Sequence, residues 1–211
     1  MIQELRTYTL VPGKQAEYLK LSSEVGRKAR GDRYGKLEGF WSSEFGTLNQ
    51  VMHLWTYESY EERERLRGEL GRNEEWTKGY IPQIRPLVLA QENKLLSPAV
   101  PLSPPADTGN VYELRWYRTQ TAKAGEWINH FKAILPVREK YMRRVGVWQT
   151  DVGQLNEVVH MWVFRDLNDR AARRAQLAQD GDWQKFLGTA MPLLAHMQAI
   201  VLTPAVHSPM R

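Results

Sequence analysis

Six chemically capable residues occur twice in this chain at matching spacing. ELRTY, residues 4–8, supplies Glu4, Arg6 and Tyr8, and it returns as ELRWY at 113–117 with Glu113, Arg115 and Tyr117. GFWSSEFGTLNQVMHLW, residues 39–55, supplies Asn49, His53 and Trp55. It returns without a gap as GVWQTDVGQLNEVVHMW at 146–162, with Asn156, His160 and Trp162. Imidazole changes charge near neutrality, guanidinium offers a planar fork of donors, and indole and phenol give flat walls with a polar tip. Such a set suits a planar or carbonyl-bearing ligand held between aromatic walls, with imidazole to orient it or move a proton. His53 and His160 are therefore the candidates for catalysis. The ligand-binding candidates are Arg6, Tyr8, Asn49, His53, Trp55, Arg115, Tyr117, Asn156, His160 and Trp162.

Other chemistries are poorly served. The chain has no cysteine, which excludes disulfides, thiolate metal sites and a thiol nucleophile. The five histidines show no HxxxH or HxH spacing, so no metal site is expected. No serine sits in a GxSxG setting and no glycine-rich phosphate loop follows a strand. The net charge of +5 is spread thinly: residues 1–98 hold 15 Lys+Arg against 14 Asp+Glu, and residues 99–211 hold 14 against 10. The densest basic cluster, Arg27, Lys28, Arg30, Arg33 and Lys36, falls at a predicted helix end, where cations offset the helix dipole. No nucleic-acid partner is expected. No apolar run reaches membrane-spanning length and SYEERERLRGEL is too acidic to lie on a bilayer, so no membrane partner is expected either. With no apolar run of signal length at MIQELRTYTL, the expected location is the cytoplasm.

The elements that must position the repeated residues follow from the duplication itself. The period is about 107–109 residues, the size of a small domain. Between the copies, SPAVPLSPPADTGN at 97–110 holds four prolines and reads as a semi-extended linker. The expected domains are 1–97 and 110–205, joined by a linker at 98–109. Within the first copy, residues 2–9 alternate as a strand does, and Tyr18, Leu21 and Val25 have helical spacing. Trp127, Phe131, Ile134 and Leu135 repeat that helix in the second copy, where Pro136 should bend or restart it. Strands at 38–45 and 49–57 flank a turn containing Gly46, and Ser59 with Glu62 forms a capping box before a charged helix. A short helix around Trp76, matched by Trp183, and a strand at 86–93 complete the order β-α-β-β-α-β.

That order is the ferredoxin-like arrangement, with both helices on one face of an antiparallel sheet. The expected fold class is α+β, two tandem ferredoxin-like units that press their uncovered faces together as a barrel, within one chain or in a homodimer. Alternation places Asn49, Val51, His53, Trp55 and Tyr57 on one face of the third strand and Met52 and Leu54 on the other. The aliphatic face is expected under the helices, leaving the His and Trp face, with Glu4, Arg6 and Tyr8, to look inward between the sheets. Two readings then stand. The polar set satisfies itself, Glu4 with Arg6 or its counterpart and His53 with Asn49 or Tyr8, and fixes register in a non-enzymatic scaffold. Alternatively it lines a barrel pocket that binds, and slowly converts, a small hydrophobic or aromatic molecule.

ELRTYTLVPGK, SEFGTLNQVMHLWTYES, YEERERLR and QENKLLSP resemble the NIPSNAP family, and YELRWY with VGQLNEVVHMW resembles a more divergent NIPSNAP domain. The resemblance implies two tandem NIPSNAP domains and the dimeric α/β-barrel fold. That superfamily includes cofactor-independent monooxygenases, haem-handling enzymes and isomerases. No reaction carries over to named residues, and no cofactor is expected. Haem is the one cofactor suggested by analogy: haem-degrading relatives draw Asn, Trp and His from separate elements, whereas Asn49, His53 and Trp55 share one strand here.

Overall fold

The computed structural model describes residues 1–211 and divides into two compact units, Met1–Leu95 with Thr203–Arg211, and Leu96–Leu202. In the first, β1 (Ile2–Leu10) leads through Gly13, which takes a left-handed φ of 81°, into helix α1 (Gln15–Leu21). A π-helical turn, Ser22–Gly26, interrupts the helix before it resumes as α2 (Arg27–Arg30). The hairpin β2 (Lys36–Phe45) and β3 (Gln50–Tyr57) follows, then α3 (Tyr60–Leu70), a second π-helical turn at Glu75–Tyr80, and α4 (Ile81–Ile84). Ser59 caps α3 as expected, its hydroxyl accepting from the Glu62 amide at 3.1 Å while the Glu62 carboxylate accepts from the Glu58 amide at 2.7 Å.

The second unit repeats the order more regularly: β5 (Val111–Thr119), α5 (Ala124–Arg138), β6 (Arg143–Val152), β7 (Glu157–Phe164), α6 (Leu167–Ala178), α7 (Gly181–Ala190) and β8 (Leu194–Pro204). Strand β4, Val88–Val100, and then Pro101 and Leu102 lie between the copies, so strand pairing extends into the proline-rich stretch at 97–110. Helix α5 runs through Pro136 without restarting. Pro136 stands in the last turn, and the one bond its ring forbids would go to Lys132, on the exposed side.

In both units the central ladder is antiparallel and in the same register. Glu4, Arg6 and Tyr8 lie opposite Trp55, His53 and Val51; Glu113, Arg115 and Tyr117 lie opposite Trp162, His160 and Val158. Each unit also has a bulge in the strand before, between Leu37 and Gly39 and between Arg144 and Gly146. The glycines after these bulges explain part of the repeated motif. A Cβ on Gly39 would stand 2.1 Å from the Trp41 ring, and one on Gly146 would stand 2.3 Å from that of Trp148. The indole lies across the glycine two residues before it, a packing no larger residue permits.

The helices cover the opposite face from the one expected. Tyr18, Leu66, Tyr80 and Ile84 pack with Tyr8, Phe40, Val51, Trp55 and Tyr57 in the first unit. In the second, Trp127, Ile128, Phe131 and Leu177 pack with Tyr117, Val158, Trp162 and Phe164. The His and Trp face therefore lies beneath the helices, and Leu5, Met52, Leu54 and Trp41 are buried on the side away from them. Alternation along a strand states which residues share a face but not which face a helix covers; here the buried stripes of the helices are aromatic and choose the aromatic side.

Candidate functional site

His53 is held at the centre of β3 by its neighbour two residues on. The Trp55 indole N–H donates to His53 Nδ1 at 2.5 Å, so the imidazole proton resides on Nε2. Phe40 stacks on the imidazole at 4.9 Å with a 7° tilt, and Tyr8 meets it edge-on at 5.0 Å. Burial, reinforced by Arg6 and Arg30, pushes the His53 pKa well below the usual imidazole value, so the ring is neutral at pH 7. A neutral imidazole whose one lone pair is already taken is a hydrogen-bond donor at Nε2 and is not set up as a general base.

Above this pair lies Arg30, at the end of α2. Its guanidinium sits 3.3 Å from the Trp55 ring centroid, and Nη2 donates to the Tyr57 hydroxyl at 2.9 Å and the Tyr34 carbonyl at 3.0 Å. Its Nε is buried without a partner. No carboxylate pairs with it, and desolvation lowers its pKa to about 10. The sequence places Arg30 in a basic cluster explained by the helix dipole; the structure turns it inward. Its counterpart Arg138 is likewise stacked, 3.8 Å from the Trp162 ring centroid.

A cavity with about 60 Å³ of free space opens between these groups and the helices, bounded by His53, Trp55, Arg30, Phe40, Tyr80 and Trp76 among others. This is several times the roughly 10–15 Å³ that one water needs. The space owes its existence to the two π-helical turns. Tyr18 and Trp127 differ by 109 in number, Arg30 and Arg138 by 108, so the first copy has one extra residue between them, absorbed in Ser22–Gly26. Ser22 and Tyr80, one from each π-helical turn, share a 2.8 Å hydrogen bond, and Gly26 lets the Tyr80 ring lie against the helix backbone. π-Helical turns of this kind are frequent at functional sites. The chain's C-terminal segment supplies the last part of the wall. The Phe40 amide donates to the Ser208 hydroxyl at 2.9 Å, the Ala205 amide donates to the Phe40 carbonyl, and His207 lies 4.6 Å from the Phe40 ring.

In the second unit the same strand face is filled. Phe131, one turn after Trp127 as Ser22 is one turn after Tyr18, stacks on Trp127 at 4.5 Å and sits 5.0 Å from His160. Phe186 adds a third ring 5.9 Å from Phe131. The Trp162 indole donates to His160 Nδ1 at 2.7 Å, reproducing the first unit, but His160 Nε2 is sealed in without a partner. Burial also drives the His160 pKa well below its usual value.

The other candidates take separate places. Arg6 donates to Glu4 and to the Tyr8 hydroxyl, both at 2.9 Å, and Arg63 of α3 donates to the same Glu4 carboxylate at 2.6 Å. Arg115 repeats this with Glu113 at 2.6 Å and Tyr117 at 2.5 Å, joined by Arg170 of α6. Glu4 is thus satisfied by Arg6, and by an arginine the strand pattern does not reveal, while His53 takes neither Asn49 nor Tyr8 but Trp55. Both asparagines belong to turns. Asn49 and Asn156 have φ of 56° and 57°, where asparagine is the favoured non-glycine residue, and their carbonyls accept from Leu10 and Thr119 at 2.8 Å. Of the ten binding candidates, Tyr8, His53 and Trp55 line the cavity, and it is under the helices of one unit, not in a barrel interior. Arg30, Ser22, Tyr80 and His207 were not distinguished by sequence; the single extra residue before Arg30 is the only trace of them.

The family profile described as NIPSNAP matches residues 3–104 and again residues 112–209. NipSnap homolog 3A of Homo sapiens is 30% identical over 213 residues, covering 99% of this chain and 85% of its own length. NipSnap homolog 1 of Danio rerio is 28% identical over 219 residues, covering 100% of this chain and 77% of its own length. Among solved structures, a candidate monooxygenase of Lactobacillus acidophilus aligns over 97% of this chain and 94% of its own, with a TM-score of 0.71 at 11% identity. An anthrone oxidase-like protein aligns over 98% and 92%, with a TM-score of 0.66 at 13% identity. At such identities these structures show the fold, which is the dimeric α/β-barrel class.

Proposed function

We propose for this chain, which belongs to the NIPSNAP family, that its first unit binds a small, largely apolar or aromatic molecule beneath α1 and α2, and that its second unit is a filled copy without a site. The observation behind this reading is the contrast between two otherwise matching constellations. His, Trp and Arg are retained in both, yet Ser22 and Gly26 leave space over His53 where Phe131 closes it over His160. A purely structural role for the set would favour the filled form in both, since voids forfeit dispersion contacts and cost stability. The first unit nevertheless keeps the open space. Aromatic walls with a few convergent donors are the usual make-up of a small-molecule site. The free space of about 60 Å³ is less than half of the roughly 150 Å³ of a closed cavity that takes up benzene. It receives a short chain or part of one ring, with the rest in the open mouth, and is far smaller than haem.

The His53 tautomer favours holding an oxygen acceptor over abstracting a proton, so binding is the primary reading. Titration with single-ring fragments, read by tryptophan fluorescence and ligand-observed NMR, tests it. Binding should be lost in Ser22→Phe, which copies Phe131 into the cavity, and unaffected by Thr189→Ala in the second unit. A fragment screen without hits on the folded wild type would leave the scaffold reading, in which the Trp55 to His53 bond and the Glu4 network only fix the packing.

A further inference from the structure

Resting on that binding reading, we infer that the occupant of the first unit's cavity bears a carboxylate set against Arg30, which makes the ligand class a small aromatic or unsaturated monocarboxylate. The lining contains Arg27, Arg30, His53 and His207 and no Asp or Glu. Among these, Arg27 already has a counter-ion, both of its terminal nitrogens donating to Asp32 at 2.9 Å. Arg30 has none. Of its five N–H donors, the two on Nη2 are accounted for by Tyr57 and Tyr34, and three remain, one on Nε and two on Nη1. The residue is 4% exposed, so water cannot hydrate the cation freely.

A buried, unpaired guanidinium is costly to maintain, and Arg6, Arg63 and Arg115 avoid the cost. Arg6 and Arg63 share Glu4, and Arg115 has Glu113. Arg138 of the filled unit, also 4% exposed, has no carboxylate and only Met142 Sδ on its Nε. Neither the stack of Arg30 on Trp55 nor its missing counter-ion by itself distinguishes a ligand site, because Arg138 in the filled unit stacks on Trp162 and also lacks a carboxylate. The distinction is that Arg30 meets open space. With Nη2 engaged by Tyr57 and Tyr34, neither two-donor edge of the guanidinium is free. A carboxylate there would accept a single charge-assisted hydrogen bond from Nη1, while Nε2–H of His53 supplies a further neutral donor. The ring or chain of the ligand would rest on Phe40, Ile81, Ile84 and Trp76, which form the apolar part of the lining.

The experiment compares benzoate with benzamide, its neutral isostere, on the full chain at pH 7 and fixed ionic strength, by fluorescence titration and saturation-transfer NMR. Benzoate should bind about tenfold more tightly or better, the scale of one charge-assisted hydrogen bond. Arg30→Met should bring the ratio near one while leaving benzamide binding in place. Ser22→Phe should abolish both. If benzamide equals or exceeds benzoate on the wild type, the carboxylate inference is overturned and the pocket reading survives. If neither aromatic binds, the pocket reading fails and takes the inference with it. Benzoate binding that persists in Ser22→Phe is adsorption to surface cations and also overturns it. Should Arg30→Met not fold, the wild-type ratio together with Ser22→Phe decides the matter.

Discussion

The indole N–H of Trp55 donates to Nδ1 of His53 at 2.5 Å, and 107 residues later Trp162 donates to His160 in the same way at 2.7 Å. Residues two apart on one strand face are thereby locked in one tautomer, and the acceptor face of each imidazole is removed from any solution chemistry. Trp55→Phe keeps the aromatic bulk and deletes the donor. We expect a loss of about 1–3 kcal/mol, the cost of an unsatisfied buried acceptor, and a changed Nδ1 shift in long-range ¹H–¹⁵N spectra. An unaltered His53 nitrogen spectrum in that variant would show that the bond does not set the tautomer.

Stability should fall with mild acidification before any carboxylate titrates. His53 and His160 have folded pKa values well below the ordinary imidazole value, so below about 6.5 the unfolded chain binds protons that the folded chain does not. The contribution is fully present above the unfolded pKa and is lost as pH falls through the interval below it. From pH 6.5 to 5.5 this amounts to about 1 kcal/mol for each histidine. Urea unfolding at pH 7.5, 6.5 and 5.5 measures it. His207, whose pKa burial lowers to about 4, adds to the same slope. His53→Gln should therefore remove about a third of it, and a flat profile in the wild type would contradict neutral burial of these rings.

Gly26 is the residue on which the cavity wall turns. A methyl group there would stand 2.7 Å from the Tyr80 ring, so Gly26→Ala must displace Tyr80 and break its hydrogen bond to Ser22. An overpacking cost of about 1–3 kcal/mol is expected, with weakened fragment binding. Gly68→Ala, whose Cβ would meet nothing within 4 Å on exposed α3, is the control and should not destabilise. Equal stabilities of the two variants would show that the Gly26 contact is not tight.

The repeated asparagines serve the backbone. Asn49→Gly, which accepts a left-handed φ without strain, should leave both stability and fragment binding nearly unchanged, whereas Asn49→Ala should cost about 1–2 kcal/mol. At Asn156 the side-chain oxygen also accepts from the Ala122 amide at 3.0 Å, so Asn156→Gly should be the more damaging of the two glycine variants. Thermal melts settle both. Loss of binding in a stable Asn49→Gly protein would restore Asn49 to the site.

Local order left its record in the sequence. The duplication, the βαββαβ order, the Ser59 cap, and the placing of Glu4, Arg6 and Tyr8 on one sheet face with His53 and Trp55 all follow from periodicity and from matching one copy to the other, whereas the register of the strands does not. These are short-range properties: alternation, capping and turn chemistry act over a few residues. What the tertiary structure decided is everything that depends on which surfaces meet. It put the His and Trp face beneath the helices, because aromatic helix stripes select an aromatic sheet face, and it turned Arg30 from a helix-end cation into a buried one. It also separated two copies that read alike: one extra residue wound into a π-helical turn, with serine where the other copy has phenylalanine, leaves room over His53 and none over His160. A change of one ring in packing cannot be heard in hydrophobic periodicity, since Ser22 and Phe131 both satisfy the helix; only the volume between elements distinguishes a site from its filled twin.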